Sequence, residues 1–537
     1  MHKLFFSKNS VNLSNVIFPY LIGIFPVLFI FNYNKEELSI HDLVLPVLVT
    51  LFSIKILMLL LIKIFKDVKK AGLFLLFLIA TFFFYDNIFD FLIPYRDWPP
   101  LRHLNQFLAI AIIITFFLSF ILIRKSKISL ILVKFLNIVG IYLLFFNLIE
   151  ISIYKIIKRD FFKNNYQVDE NENNVKKPAV FTQNNKGARD IYFIILDGYP
   201  SSKVLMEFYH YNNKYFIDML KSKGFFIAEN SRANYSATFL SLASSLNMMY
   251  LNHLEKGIEN INNFKDRKVP YEMIKNNRLV SNLKTYGYKY VHFKSTWGAT
   301  DHNPNADIYL SGPNSLLLSK FNTEFNMVIL KSTILREWLK KNNYFNLYSD
   351  QILFNLDKIS DLNGIQGPKF IFAHIMSPHP PYVFDEFGKS PKVVNMNYFG
   401  NEWNRKDAFI DQLKFVNKKI ILAVNKILIN SEIEPIIVIQ ADHGTCSTCD
   451  SSNENIINNY EVSEETLRER LNILNAMYLP EGGSKLLYDE ISPVNTFRCI
   501  LKFYFDKGFK LLEDKHYYSS YESPYKFLDV TGNGIFE

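Results

Sequence analysis

Five long apolar runs crowd the first 150 residues, near positions 17–31, 43–62, 71–85, 104–123 and 129–149. A helix needs roughly 20 apolar residues to cross the hydrocarbon core of a bilayer, so this region is expected to form about five membrane helices. The third run is interrupted by Asp86 and Asp90, and an interfacial or re-entrant segment would have the same pattern. Its status decides the topology.

Lysine and arginine set the expected orientation. Lys3 and Lys8 precede the first run, Lys63, Lys66, Lys69 and Lys70 follow the second, and Arg124, Lys125 and Lys127 follow the fourth. Those loops should face the cytoplasm. The intervening loops carry Glu36, Glu37 and Asp42, then Asp86, Asp90, Arg96 and Asp97. An odd number of spans then exports everything after about residue 150. Lys155, Lys158, Arg159 and Lys163 follow the fifth run on the outer side, where an amphipathic helix resting on anionic headgroups would accommodate them. Lys55 and Lys134 fall inside runs and are expected to snorkel to the interface. The first run lacks a small-residue cleavage site, so no cleavable signal peptide is expected.

The formal charge of +9 would suggest nucleic-acid binding only if it clustered on a folded face. Here it flanks apolar runs, which excludes nucleic acid and points to a membrane. A mean hydropathy of +0.04 agrees. From about 164 to 187 the chain turns Asn- and Lys-rich and reads as an exposed linker. The expected domains are therefore 1–150 in the membrane, 151–187 as juxtamembrane segment and linker, and 188–537 as the catalytic domain.

Beyond the linker, short strand-like runs (IYFIIL, KYVHF, KFIFAHI, PIIVIQA) alternate with helix-length amphipathic ones. This pattern predicts an α/β domain with a largely parallel sheet covered on both faces. In such sheets chemistry gathers at the carboxyl ends of the strands. One strand ends in Asp197-Gly198, which by itself is most often a turn. Another ends in Asp442-His443-Gly444, where a carboxylate and an imidazole can reach one cation such as Zn²⁺ or Mn²⁺. Between them the stretch 232–246 is rich in hydroxyls and enters an apolar, small-residue helix. A hydroxyl there can be a plain helix cap, or a nucleophile whose anionic substrate sits on the helix N-terminus. Spacing favours Thr238, with Ser236 as the fallback.

Asp197, Thr238 in a T-x-x-S helix entry, His379 in SPHPPY and Asp442-His443-Gly444 occur in an order that resembles the alkaline phosphatase superfamily in its sulfatase-like branch. With membrane spans ahead of an exported domain, the chain is similar to lipoteichoic acid synthases and phosphoethanolamine transferases. The resemblance implies an alkaline phosphatase-type α/β sandwich and one divalent ion held by Asp197, Thr238, Asp442 and His443. It makes Thr238 the covalent nucleophile, with His379 binding the transferred group or assisting the leaving oxygen. The frame around Thr238 lacks the proline and arginine of formylglycine sulfatases. Ile375 stands where two-metal relatives carry an aspartate, so a single ion is expected.

A membrane phospholipid is the expected donor and an envelope glycan or lipid the acceptor, at the outer face of the plasma membrane. An anchored phosphate or sulfate ester hydrolase, and a non-catalytic polymer-binding protein, are the alternatives. Trp297 and His302, on a loop after KYVHF, are expected to contact a headgroup or sugar, and Arg470 an anionic substrate. His374 reads as a satisfied core histidine. Cys446 and Cys449 form a C-x-x-C with no second pair to complete a zinc site, which favours a disulfide or spectator thiols.

Overall fold

The computed structural model describes residues 15–35, 38, 40–92, 95, 103–165, 189–257, 265–312, 324–336, 346–390, 402–448, 462–505, 508–521 and 523–532. The linker is almost wholly outside this set, as is Cys449. The chain divides into two compact units.

The first unit comprises residues 1–159 and 317–345. Its helices are α1 (Phe18–Tyr33), α2 (Ile40–Phe65), α3 (Val68–Leu92), α4 (Leu104–Lys125) and the start of α5 (Leu130–Asn165). Four of them are long and apolar enough to cross a membrane. At 16 residues α1 is about 24 Å long, against roughly 30 Å of hydrocarbon. The third run is one continuous helix through Leu92. Most of these apolar surfaces have little protein cover: no more than a third of any of the four membrane-length windows is buried. That exposure suits lipid, not water.

A segment from inside the expected catalytic region belongs to this first unit. Phe325 and Ile329 of the helix Glu324–Lys331 pack with Val27, Leu28, Phe31 and Ile151, and Ile334 packs with Tyr85, Leu104 and Leu108.

The second unit, residues 160–316 and 346–537, is built on a seven-stranded sheet. The strands are β1 (Ile191–Leu196), β2 (Phe226–Ile227), β3 (Lys289–Phe293), β4 (Ile308–Leu310), β5 (Lys369–Ile375), β6 (Ile436–Gln440) and β7 (Asn475–Tyr478), in the order β2-β7-β6-β1-β5-β3-β4. β4, β3, β5, β1 and β6 run parallel, and β7 and β2 close one edge antiparallel. The central strands β1, β5 and β6 are buried along their whole length, as their largely apolar runs require. In register, Ile195 of β1 lies opposite His374 on one side and Gln440 on the other. Asp197 and Asp442 thus leave the sheet at the same level, beside His374.

The helix Thr238–Asn247 (TFLSLASSLN) is buried at all ten residues. Its small Ala243, Ser244 and Ser245 let it lie close among its neighbours. Its apolar side chains share a core with Phe193 of β1, Phe370 and Phe372 of β5, and Val438 of β6. That core fixes where the helix begins, and it begins at Thr238.

Candidate active site

Asp197, Thr238, His374, Asp442 and His443 come together at the carboxyl ends of β1, β5 and β6, entirely within the second unit. After Asp197 the chain turns through Gly198 at φ +68°, where an added Cβ would lie 2.6 Å from the Trp403 ring. The backbone N–H of Gly198 donates to Asp442 Oδ1 at 3.1 Å, which ties the two strand ends together. Ser241 donates to Asp442 O at 2.6 Å and so fastens the Thr238 helix to the same corner.

Hydrogen bonds fix the protons on His443. Its Nδ1 lies 2.8 Å from Gly444 O, which can only accept, so Nδ1 carries the proton and Nε2 holds a lone pair. That Nε2 is 3.0 Å from Thr238 Oγ1, 3.2 Å from Asp442 Oδ2 and 3.8 Å from Asp197 Oδ1. Burial, and then the Arg470 guanidinium, hold the His443 imidazole well below its usual range, so it is neutral at pH 7. Thr238 is therefore the donor in its contact with His443. The helix that begins at Thr238 has no side-chain cap at Ala237.

Two buried carboxylates share this corner. Burial pushes Asp442 up to about 6, with the Asp197 charge adding to it. Burial also acts to raise Asp197, but imidazolium charge around it, first of all on His379, outweighs burial at the acid pH where this carboxyl titrates and holds it below the ordinary range. Among the described residues, Asp197 Oδ1, Asp442 Oδ2 and His374 Nε2 are buried without a hydrogen-bond partner. Orphaned carboxylate oxygens facing an orphaned ring nitrogen cost several kcal/mol unless a cation joins them.

The donor set fits a cation. Asp197, His374 and Asp442 each offer a ligand atom within 4.8 Å of the other two. Ligand atoms at ~2.0–2.1 Å around a tetrahedral ion lie about 3.3 Å from one another. His374 Nε2 to Asp197 Oδ2 is 3.4 Å, close to that spacing, as is the 3.2 Å from His443 Nε2 to Asp442 Oδ2. Carboxylates with imidazoles suit zinc or manganese. Asp197, Asp442 and His443 would hold the ion with Thr238 at its edge, and His374 is placed to join them.

His379 follows β5 and donates Nδ1–H to Pro380 O at 2.5 Å. Its ring centroid is 6.3 Å from that of His443, so it borders the cluster without entering it. Trp403, which the sequence did not single out, packs edge-on against His379 at 4.9 Å and lies over Gly198.

Other expected residues sit elsewhere. Ser236 donates to Ser519 O at 2.9 Å and accepts from Ser519 N at 3.2 Å, so its hydroxyl is engaged away from the carboxylates. Arg470 is buried, with Nε on Ser236 O at 2.8 Å and a second nitrogen on Gly444 O at 3.2 Å. It braces the Thr238 loop against the His443 loop instead of presenting a guanidinium to solvent. Trp297 packs against His374 at 5.7 Å, while His302 is exposed and stacks edge-on with Tyr309. Cys446 is disulfide-bonded and Cys499 is free and buried.

His374 overturns its sequence reading. It is fully buried, but its Nε2 is unsatisfied and turned toward Asp197. A signal was present: alternation puts His374 on the face of Phe370 and Phe372, the face that packs with the Thr238 helix, near the end of its strand.

A sulfatase family model matches residues 189–472, just over half of the chain. No curated protein matches. Solved structures that match include the zinc complex of the C-terminal periplasmic domain of EptC from Escherichia coli, at 11% identity and TM-score 0.41, covering 65% of this chain and 96% of that one. Another is the integral membrane lipooligosaccharide phosphoethanolamine transferase A from Neisseria meningitidis, at 11% identity and TM-score 0.38, covering 90% and 94%. A third is a putative sulfatase from Bacteroides fragilis, at 13% identity and TM-score 0.37, covering 64% and 84%. By the match over residues 189–472, which span strands β1 to β6 and the cluster at their ends, this chain belongs to the sulfatase family.

Proposed function

We propose that the protein is a membrane-bound, metal-dependent phosphotransferase. It moves a phospholipid-derived headgroup, of phosphoethanolamine or phosphoglycerol type, to an envelope glycan or lipid through a Thr238-linked intermediate. The observation that carries this reading is the 3.0 Å contact between Thr238 Oγ1 and the neutral Nε2 of His443, inside a corner of orphaned acceptors. The likeness to EptC and to lipooligosaccharide phosphoethanolamine transferase A agrees with the choice of headgroup without deciding it.

In the first half-reaction Thr238 Oγ1 forms a bond to phosphorus as the bond to the lipid alcohol breaks, and the hydroxyl proton of Thr238 ends, by exchange through solvent, on the departing alcohol oxygen. His379, at the rim, binds the transferred group or, in its protonated form, assists the departing oxygen. In the second half-reaction an acceptor hydroxyl attacks the same phosphorus and Thr238 regains its proton. A bound divalent ion would supply Lewis acidity, lowering the pKa of the threonine alcohol and offsetting charge on the phosphoryl oxygens. Splitting one transfer into two in-line steps is the advantage of the covalent route. Trp297, His302 and Arg470 support the site from behind or stand apart from it.

The five apolar helices support placement in the plasma membrane. With α1 included as a span, positive charge favours an extracytoplasmic site, where both lipid headgroups and envelope acceptors lie. Residues 188–537 would supply the catalytic domain, with 317–345 departing from it.

The full chain in detergent, incubated with phosphatidylethanolamine or phosphatidylglycerol and digested, should yield a Thr238 peptide carrying the added headgroup mass. Thr238→Ala should lower transfer by about a thousandfold or more. Label passing only to water would mark a hydrolase. Turnover unchanged in Thr238→Ala would remove Thr238 from the chemistry, and native protein that transfers nothing would leave a polymer-binding role.

A further inference from the structure

Acceptor-only groups hold two of the imidazoles near the carboxylates in a single tautomer, His443 through Gly444 O and His379 through Pro380 O. His374 has a hydroxyl at that position instead: Thr300 Oγ1 lies 2.8 Å from its Nδ1. A hydroxyl can donate or accept, so the direction of this bond depends on what stands behind it.

Behind Thr300 stands Ser295, with the two oxygens 2.8 Å apart. Ser295 Oγ accepts from Trp297 N at 3.0 Å and donates its own proton to Trp297 O at 3.1 Å. With that proton committed, Ser295 accepts from Thr300, and Thr300 in turn accepts from His374 Nδ1–H. The proton is then absent from Nε2, whose lone pair faces Asp197 Oδ2 at 3.4 Å. An Nε2–H beside a buried carboxylate would instead draw in to about 2.7–2.9 Å.

The support of this hydroxyl pair is itself rigid. Thr300 and Ser295 are buried at 0% and 1% exposure, and Thr300 N donates to Trp297 O at 3.0 Å. His292 Nε2 donates to Thr300 O at 2.9 Å while its Nδ1 accepts from Tyr290 OH at 2.8 Å. The Trp297 ring stands at 89° to His374 and limits its rotation.

We infer that Thr300, backed by Ser295, is a positioning residue that fixes His374 as a neutral ligand with its Nε2 lone pair turned to Asp197 and Asp442, adding an imidazole to the cation's shell. The inference rests on the cation site proposed above. Partners that orient a ligating histidine are typically worth 10–100-fold in metal affinity.

The test is zinc affinity of the full chain in detergent, measured by chelator competition. Thr300→Val, which keeps shape and loses the hydroxyl, should weaken zinc 10–100-fold, His374→Gln at least as much, and Thr300→Ser should restore near-native affinity. The cobalt-loaded native chain should show exchangeable imidazole N–H resonances shifted by the ion, one of which disappears in His374→Gln. If Asp442→Asn loses zinc while Thr300→Val and His374→Gln bind it like the native chain, this inference alone fails. If Asp442→Asn also binds like the native chain, the cation site itself is wrong. Should Thr300→Val fail to fold, the cobalt spectrum of His374→Gln against native still decides, since an unchanged set of resonances removes His374 from the shell.

Discussion

A threonine alcohol is inert in water, and the chemistry of Thr238 depends on what Asp197, Asp442 and the imidazoles place around it. Those imidazoles are not the only buried ones. His292 and His516 are both held down to about 4, chiefly by burial, and both stand outside the carboxylate corner. A histidine whose folded pKa lies below its unfolded value contributes its full stability above about 6.5 and loses it as the pH falls toward 4. Each should then withdraw about 3 kcal/mol across that window. The unfolding midpoint of the full chain, followed from pH 7 to pH 4, should fall less steeply in His516→Asn than in the native protein. Parallel curves would show that His516 is not buried neutral.

The site is assembled from the ends of elements, and two of its struts can be tested at that scale. Gly444 follows Asp442-His443, and a Cβ there would lie 2.1 Å from the Glu469 carbonyl, a backbone atom that cannot swing aside. Gly444→Ala should therefore shift the β6 end, with loss of zinc and of transfer together. A variant that retained both would show the strand end to be more pliable than its packing implies. Arg470 links the Thr238 loop to the His443 loop through the carbonyls of Ser236 and Gly444. Arg470→Met leaves both buried acceptors short of a donor and should cost about 2–5 kcal/mol, read by chemical denaturation. No loss of stability would argue for a substrate-facing arginine after all. The partners of both struts lie far from them in sequence. In the fold Glu469 accepts from Thr445, Ser447 and Thr448, while Arg470, expected from the sequence to meet an anionic substrate, spans two loops.

For the whole molecule the open quantity is parity. Four helices reach membrane length and α1 falls short, so the side on which the catalytic unit emerges depends on one 16-residue helix. If α1 crosses, Tyr33→Cys should react with a membrane-impermeant maleimide added to intact cells, whereas Ser126→Cys, in the Lys- and Arg-rich turn after α4, should react only after lysis. The opposite pattern would place the site inside and end the proposal of an envelope acceptor.

Apolar runs, charge flanks and strand ends were legible in the chain because each is a local property: span length, positive flanks and the alternation of strand with helix follow from neighbouring residues. Asp197 and Asp442-His443-Gly444 could be located as candidates for the same reason. What only the tertiary structure decided was which polar atoms are left without partners. His374 reads as a core residue along KFIFAHI, and it becomes a ligand candidate because β5 lies beside β1, which sets its ring against Asp197. Thr300 is 74 residues from His374 in sequence, and only the pairing of β3 with β5 brings its loop to that ring. A hydrogen-bond deficit is a property of space, and the sequence does not record it until the chain has folded.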